Sequence, residues 1–328
     1  MGVGYGMLSA VNFNFQNSWG TPLTASLQSI AVTGENVAFE LEQLPEQSMY
    51  GRFAESPYHM GKNSVKGGFK MEAHPISIMW PLGAVMGGVV TTSGTGIGTH
   101  IYKMRAGSDW QDNAAERPFT LQVNRNRVNL VGEQYHDMVG DSLTFNIKNG
   151  QFLTLDFAAI GAGFTANSTT AAPTYPAGKP YIWDASSLSW SGNLITDIED
   201  LTITVKNNLA PLWFLGVNTK APYKIKRNGF QTIEVAGSVL YSTDSVFLDF
   251  RNQTEIRMLA NFVGQQTPNT LLFDFPSLRL KTFVPTAAGP GMVKASFTGQ
   301  AMYNTASTYA VAITLVNSVQ YNGVNSPA

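Results

Sequence analysis

Cysteine does not occur once in the 328 residues. Its absence excludes a disulfide framework and any thiolate metal site, and it favours folding in a reducing compartment. Charge is scarce as well. Asp, Glu, Lys and Arg make up 13% of the chain, about half the roughly 25% of an ordinary soluble domain. The 21 basic and 22 acidic residues leave a formal net charge of −1, so no global field draws in nucleic acid or an anionic membrane. No apolar run reaches the roughly 18 residues of a membrane-spanning helix. The start, MGVGYGMLSAVNFNF, lacks the basic and continuously apolar regions of a secretory leader.

Catalytic constellations are equally wanting. The four histidines, His59, His74, His100 and His136, stand in unlike contexts, with no two at a metal-ligand spacing such as i, i+4. There is no nucleophile elbow of the form G-x-S-x-G and no calcium-loop spacing. SGTGIGTH, which ends at His100, lacks the lysine of a phosphate loop and reads as a glycine-marked loop. His74, before Pro75, reads as the approach to a helix. Asp197, Glu199 and Asp200 form the one compact acidic cluster. A glycosidase needs two carboxylates at a set separation, whereas a solvated strand start accounts for this cluster. KAPYKIKR (220–227) is a short basic patch on a neutral chain and reads as a protein-contact loop or a solvated turn. These absences predict no enzyme, no cofactor and no metal site.

Apolar residues make up an ordinary 44% of the chain, so Asn, Thr, Ser, Gln and Gly must cover the surface. Few charges then oppose association, which points to a protein covered by copies of itself. GDSLTFNIKNG (140–150) turns Leu143, Phe145 and Ile147 one way and Thr144, Asn146 and Lys148 the other. EDLTITVKNN (199–208) repeats the pattern, with Leu201, Ile203 and Val205 against Thr202, Thr204 and Lys206. Such alternation marks strands with one buried and one wet face. VAFELEQ (37–43), VKGGFKMEA (65–73), FTLQVNR (119–125), FLTLDFA (152–158), TIEVAGSVLYS (232–242), SLRLKTF (277–283), VKASFTG (293–299) and YAVAITLVN (309–317) follow similar rules. Two segments, 74–88 and 244–264, carry apolar residues near helical spacing. Pro81 keeps the first helix short. In the second, Phe247, Phe250, Met258 and Phe262 form one stripe, with Asp244 as N-cap.

TANSTTAAPTYPAGKP (165–180) has the composition of a linker and lies near the midpoint. Each side of it offers a strand (37–43; 200–207), a long irregular insertion (44–64; 208–229) and a Gly-marked strand (65–73; 232–242). A helix-like segment and a strand led by Pro118 or Pro276 follow. Val65-Lys66-Gly67-Gly68-Phe69 aligns with Val235-Ala236-Gly237-Ser238-Val239. This order predicts a mainly β chain of two tandem modules, 1–164 and 181–328, joined by 165–180.

Taken in order, these features resemble the tail tube (major tail) proteins of long-tailed, siphovirus-type bacteriophages, over essentially the whole chain. VKGGFKMEAHPISIMWPLGAVMGG resembles the family's strand-plus-helix block, and THIYKM with RPFTLQV its strand pair, with Phe119 where Ser is usual. EQYHDMVGDSLTFNIKNGQFLTLDF is similar to its closing hairpin, and IEDLTITVKNNLAP with NGFQTIEVAGSVLY to its second module. The resemblance implies two tail-tube-type β-sandwich or barrel modules, each with a short helix, joining copy to copy into a continuous β-barrel tube. It implies a structural virion protein whose stacked rings conduct DNA into the host.

By position, the insertions then supply inter-ring or inter-subunit contacts: Met49, Tyr50, Arg52, Phe53 and Tyr58 from 44–64, and Leu212, Trp213, Phe214, Tyr223 and Lys224 from 208–229. Glu40, Glu42, Thr202 and Thr204 become candidates for the bore, whose lining must be neutral to acidic if a polyanion is to slide. Implied partners are further copies of the chain, tape measure and tail terminator or distal tail proteins, and double-stranded DNA in passage, with no membrane. The implied setting is the virion tail, assembled in the bacterial host cytoplasm. Six modules close the family's usual ring, so two per chain imply three chains as a pseudo-hexamer, and a single enlarged module implies six. A distal tail or capsid protein and a monomeric carbohydrate-binding β-sandwich are the alternatives.

Overall fold

The computed structural model describes residues 9–318 apart from 47–57, 88, 95–96, 104–116, 126–130, 170–172, 177, 185, 217–218, 242–243, 288 and 290. The chain runs through β1 (Ala10–Phe15), β2 (Gln28–Ile30), β3 (Gly34–Glu35), β4 (Ala38–Pro45) and β5 (Tyr58–Glu72) to helix α1 (Met79–Met86). Next come β6 (Val89–Gly94), β7 (Ile97–Lys103), β8 (Phe119–Asn124), β9 (Val131–Lys148), β10 (Thr154–Gly161) and β11 (Gly163–Thr169). After them stand β12 (Ser187–Trp190), β13 (Asn193–Leu194), β14 (Ile198–Lys206), β15 (Leu209–Leu212), β16 (Lys224–Arg227) and β17 (Thr232–Leu240). Helix α2 (Ser245–Asn252), β18 (Ile256–Val263), β19 (Thr270–Thr286), β20 (Lys294–Ala301) and β21 (Ala312–Asn317) complete the order.

Eight strands form one antiparallel sheet in the order β4–β5–β10–β9–β14–β17–β20–β19. The two look-alike stretches of the sequence are direct neighbours in it. Thr204 lies opposite Thr144, Thr202 opposite Asn146, and Ile203 opposite Phe145. The period-2 pattern sends Leu143, Phe145, Leu155, Phe157, Ile203, Val205, Val235 and Phe297 to one buried face. Two further groups of strands cover that face. One runs β2–β1–β8–β9–β11, and the other β13–β12–β18–β19–β21–β7–β6. β9 and β19 belong to both layers, each passing from one to the other through register shifts that bend the strand. Rings meet between the layers: Phe119 lies 5.8 Å from Phe157, Trp190 5.9 Å from Phe297, and Phe145 4.9 Å from Phe273, edge to face. Phe145 and Phe273 come from opposite sides of the 165–180 stretch, so the core is shared between the two halves.

The order β4–β5–β10–β9 of the first half recurs as β14–β17–β20–β19 in the second. A helix follows the second strand in each set. Gly67 and Gly237 hold matching places, each beneath the preceding strand. A Cβ on Gly67 would meet the Asn36 carbonyl oxygen at 2.4 Å, and one on Gly237 the Asp200 carbonyl oxygen at 2.5 Å. Only glycine fits so close a backbone approach. Among the described residues no sheet closes into a barrel.

Several sequence expectations need correction. The helix of 244–264 stops at Asn252, and Met258 and Phe262 point inward from strand β18. Asp244 is the N-cap of α2 as expected, with its carbonyl accepting the Leu248 N–H at 2.8 Å, but its side chain accepts the Tyr241 hydroxyl at 2.7 Å instead of a helix N–H. SGTGIGTH belongs to the β6–β7 hairpin, with His100 buried on β7. THIYKM and RPFTLQV both supply strands, but β7 pairs with β6 and β21 while β8 pairs with β1 and β9. Pro118 leads into β8, whereas Pro276 lies inside β19, where the pairing with β18 slips register and no ladder N–H is needed. Residues 165–169 still belong to β11, paired with the start of β9.

Candidate functional site

The second face of the eight-stranded sheet carries no core. Along its middle, the Thr144 and Thr204 hydroxyls lie 3.3 Å apart, Thr202 Oγ1 donates to Asn146 Oδ1 at 3.4 Å, and Asn146 Nδ2 donates to Asp156 Oδ2 at 3.5 Å. Thr202 and Thr204 therefore sit on this polar face at the β9–β14 seam. Alternation also delivers charge to it. Outside the insertions the face holds seven cations, Lys66, Lys70, Lys148, Lys206, Arg279, Lys281 and Lys294, at strand positions opposite to the core.

Five of the seven reach a carboxylate. Lys66 Nζ lies 2.7 Å from Glu40, Lys70 3.3 Å from Asp156, Lys281 3.9 Å from Glu234 and Lys294 2.7 Å from Glu199, while Arg279 Nη2 lies 3.6 Å from Glu255. Strand pairing sets these partners, because it brings β4 beside β5, β5 beside β10 and β17 beside β20. Lys148 faces Asp200 across the seam, and Lys206 stands at its other end opposite Ser142. Glu40 is thus on the polar face as half of an ion pair. Glu42 is diverted. The β4–β5 register slips between Leu41 and Gln43, and the Glu42 carboxylate accepts the Lys62 backbone N–H at 3.1 Å. Sequence reasoning passed over Lys66, Lys70 and Asp156, although their alternation was visible in VKGGFKMEA and FLTLDFA.

The insertions form two arms at one end of the sheet. The first is the outer part of the β4–β5 hairpin, where Gln43, Leu44 and Pro45 pair with Met60, His59 and Tyr58. Met49, Tyr50, Arg52 and Phe53 lie outside the described residues. The second is the β15–β16 hairpin, with Leu212 opposite Lys224. The arms touch. The Asn63 backbone N–H donates to the Lys220 carbonyl at 3.0 Å, and Lys62 Nζ sits 5.0 Å from the Trp213 ring centre. Trp213 Nε1 donates to the same Lys220 carbonyl at 3.1 Å, which fixes the indole between the arms.

Apolar side chains around this junction face solvent in the single chain. Leu44, Tyr58, Met60, Phe214, Leu215, Tyr223 and Phe230 are all exposed, Phe230 to 91%. Phe214 and Tyr223 meet edge to face at 5.7 Å, and Lys224 Nζ lies 5.5 Å from the Tyr223 ring. Leu212 and Trp213 are half-buried. A concentration of exposed apolar residues on one projection is the mark of a protein contact. Lys62 and Asn63, absent from the sequence-based candidates, are the first arm's link to the second.

One face of the sheet is thus polar with charges of both signs, and exposed apolar arms stand at one end. A family model described as phage tail tube protein matches residues 6–301. The chain belongs to that family. A search of curated proteins finds no match. Membership makes this tail tube chain a structural component of a bacteriophage virion tail, in a family that is generally not enzymatic and whose members assemble as homo-oligomers into a tube. No helix among the described residues is long and apolar enough to cross a membrane.

Proposed function

We propose that the tail tube chain is a double wall segment of a siphovirus-type tail. Its eight-stranded sheet lines the bore, and its halves act as two tandem tube modules. The observation that supports this most directly is the recurrence of one four-strand order on the two sides of the β9–β14 seam. In the second half β19 stands where β9 stands, and in the first half β4 stands where β14 stands. Among the described residues β4 pairs only with β5, and the β19 stretch from Arg279 onward only with β20. Each chain therefore offers at its two margins the partners that it joins at its own centre. Joining β19 of one chain to β4 of the next repeats the internal seam and leaves no open edge.

Three chains then complete a ring of six modules, and the arms meet the neighbouring ring. Stacked rings give a conduit through which double-stranded DNA passes into the host. The further partners in this reading are a tape measure protein within the bore and terminator and distal tail proteins at the ends. Assembly takes place in the host cytoplasm. Cryo-electron microscopy of the purified protein, with native mass spectrometry of its smallest closed ring, tests the proposal. The expected result is three chains per ring with near-sixfold density. Six chains per ring would overturn the tandem-module reading. A protein that stays monomeric at high concentration would overturn the tube itself.

A further inference from the structure

We infer that the lining carries its own counter-charges, so that DNA in passage meets paired ions and no ladder of free cations. This rests on the assignment of the polar face to the bore. Lysines and arginines bind duplex DNA by displacing its condensed counterions, and each phosphate engaged makes affinity fall more steeply with salt. A tube that must release its genome quickly cannot present such an array. The obvious solution is a lining without basic residues. This chain does something different, because the polar face keeps seven cations and holds five of them within 4 Å of a carboxylate.

Four of the carboxylates come from other strands than their partners and Glu255 from the residue before β18, so the pairing is a property of the assembled sheet and not of local sequence. Lys66 and Lys70 of β5 reach out to β4 on one side and β10 on the other. Lys281 of β19 crosses β20 to reach Glu234 of β17. A phosphate approaching any of these lysines must displace a carboxylate or approach it, and both are unfavourable. Exposed pairs like these add little to stability, so stability does not account for keeping so many of them. The two cations without an ion pair among the described residues, Lys148 and Lys206, stand at opposite ends of the seam and form no row.

The test uses assembled tubes and a short DNA duplex, measured by co-sedimentation at 50 and 200 mM salt. Tubes of the parent chain should retain almost no duplex at either salt. Tubes of E40Q/D156N/E234Q, which frees Lys66, Lys70 and Lys281, should bind it, with affinity falling about 40-fold between the two salts if three phosphates are engaged. Adding K66Q, K70Q and K281Q should abolish that binding. Normal tubes of the acid-neutralised variant that hold no more DNA than the parent would overturn the inference. Should the variant fail to assemble, parent tubes alone decide, because strong salt-dependent retention by them would also overturn it. A tube cross-section with the polar face turned outward would sink the proposed function instead, which separates the two failures.

Discussion

Asn207 is wholly buried and spends every polar atom. Its Nδ2 donates to the Val85 carbonyl at 3.0 Å and the Gly140 carbonyl at 2.9 Å, and its Oδ1 accepts Gln231 Nε2 at 3.0 Å. It therefore ties the end of α1 to β9 and to the strand that leaves the seam. Replacing Asn207 by Leu strands several buried groups at a cost of roughly 1–3 kcal/mol each. The variant should unfold at clearly lower urea than the parent, and an unchanged midpoint would remove Asn207 from the framework. Before the start of β4 a second polar knot includes Arg125, whose Nε and Nη2 grip the Glu35 carboxylate at 2.6 and 2.8 Å. Tyr135 donates to Glu133 at 2.7 Å beside it, and burial pushes its hydroxyl up to about 12. Because the folded value is raised, this contribution is intact below about pH 10, the unfolded value, and is lost as pH climbs to about 12. Thermal melts from pH 9 to 12 should show that decline, and Tyr135→Phe should flatten it while lowering stability at neutral pH.

At the scale of elements, the junction of the arms has the clearest consequence. Trp213 holds Lys62 over its ring and Lys220 on its indole N–H. Trp213→Ala should leave the sheets folded but part the arms, giving shorter tubes by negative-stain microscopy. Deletion of 208–229 should give folded chains that no longer stack, and tubes of normal length from either variant would count against the role. Much of this scale was legible in sequence. Alternation placed Thr202 and Thr204 on a wet face because strand side chains have a period of two. The partner of a strand is another matter, since alternation fixes a face and says nothing about which edge lies alongside. That is why 140–150 and 199–208 looked merely alike when they are neighbours. Glu42 lies at a register slip where β5 carries one extra residue, and alternation alone cannot reveal such a bulge. Met258 and Phe262 misled for a different reason: four residues apart, they satisfy both helical and strand periods, and burial on β18 decided between them.

The whole molecule is organised around margins rather than a pocket. Its eight-stranded sheet begins at β4 and ends at β19, and the proposed ring supplies each with the other. The low charge content belongs to this scale: a chain of a family that assembles as homo-oligomers carries few charges to keep copies apart. The β6–β7 hairpin carries one more consequence. It springs from the first half, yet β7 finds its second partner in β21, near the end of the described chain, with Tyr102 opposite Ile313. During synthesis the hairpin must wait for some two hundred residues before that partner leaves the ribosome, a contact order that slows folding. β21, the last strand among the described residues, thus covers the free edge of a hairpin from the first half. A chain that stops short of β21 leaves that edge of β7 unpaired.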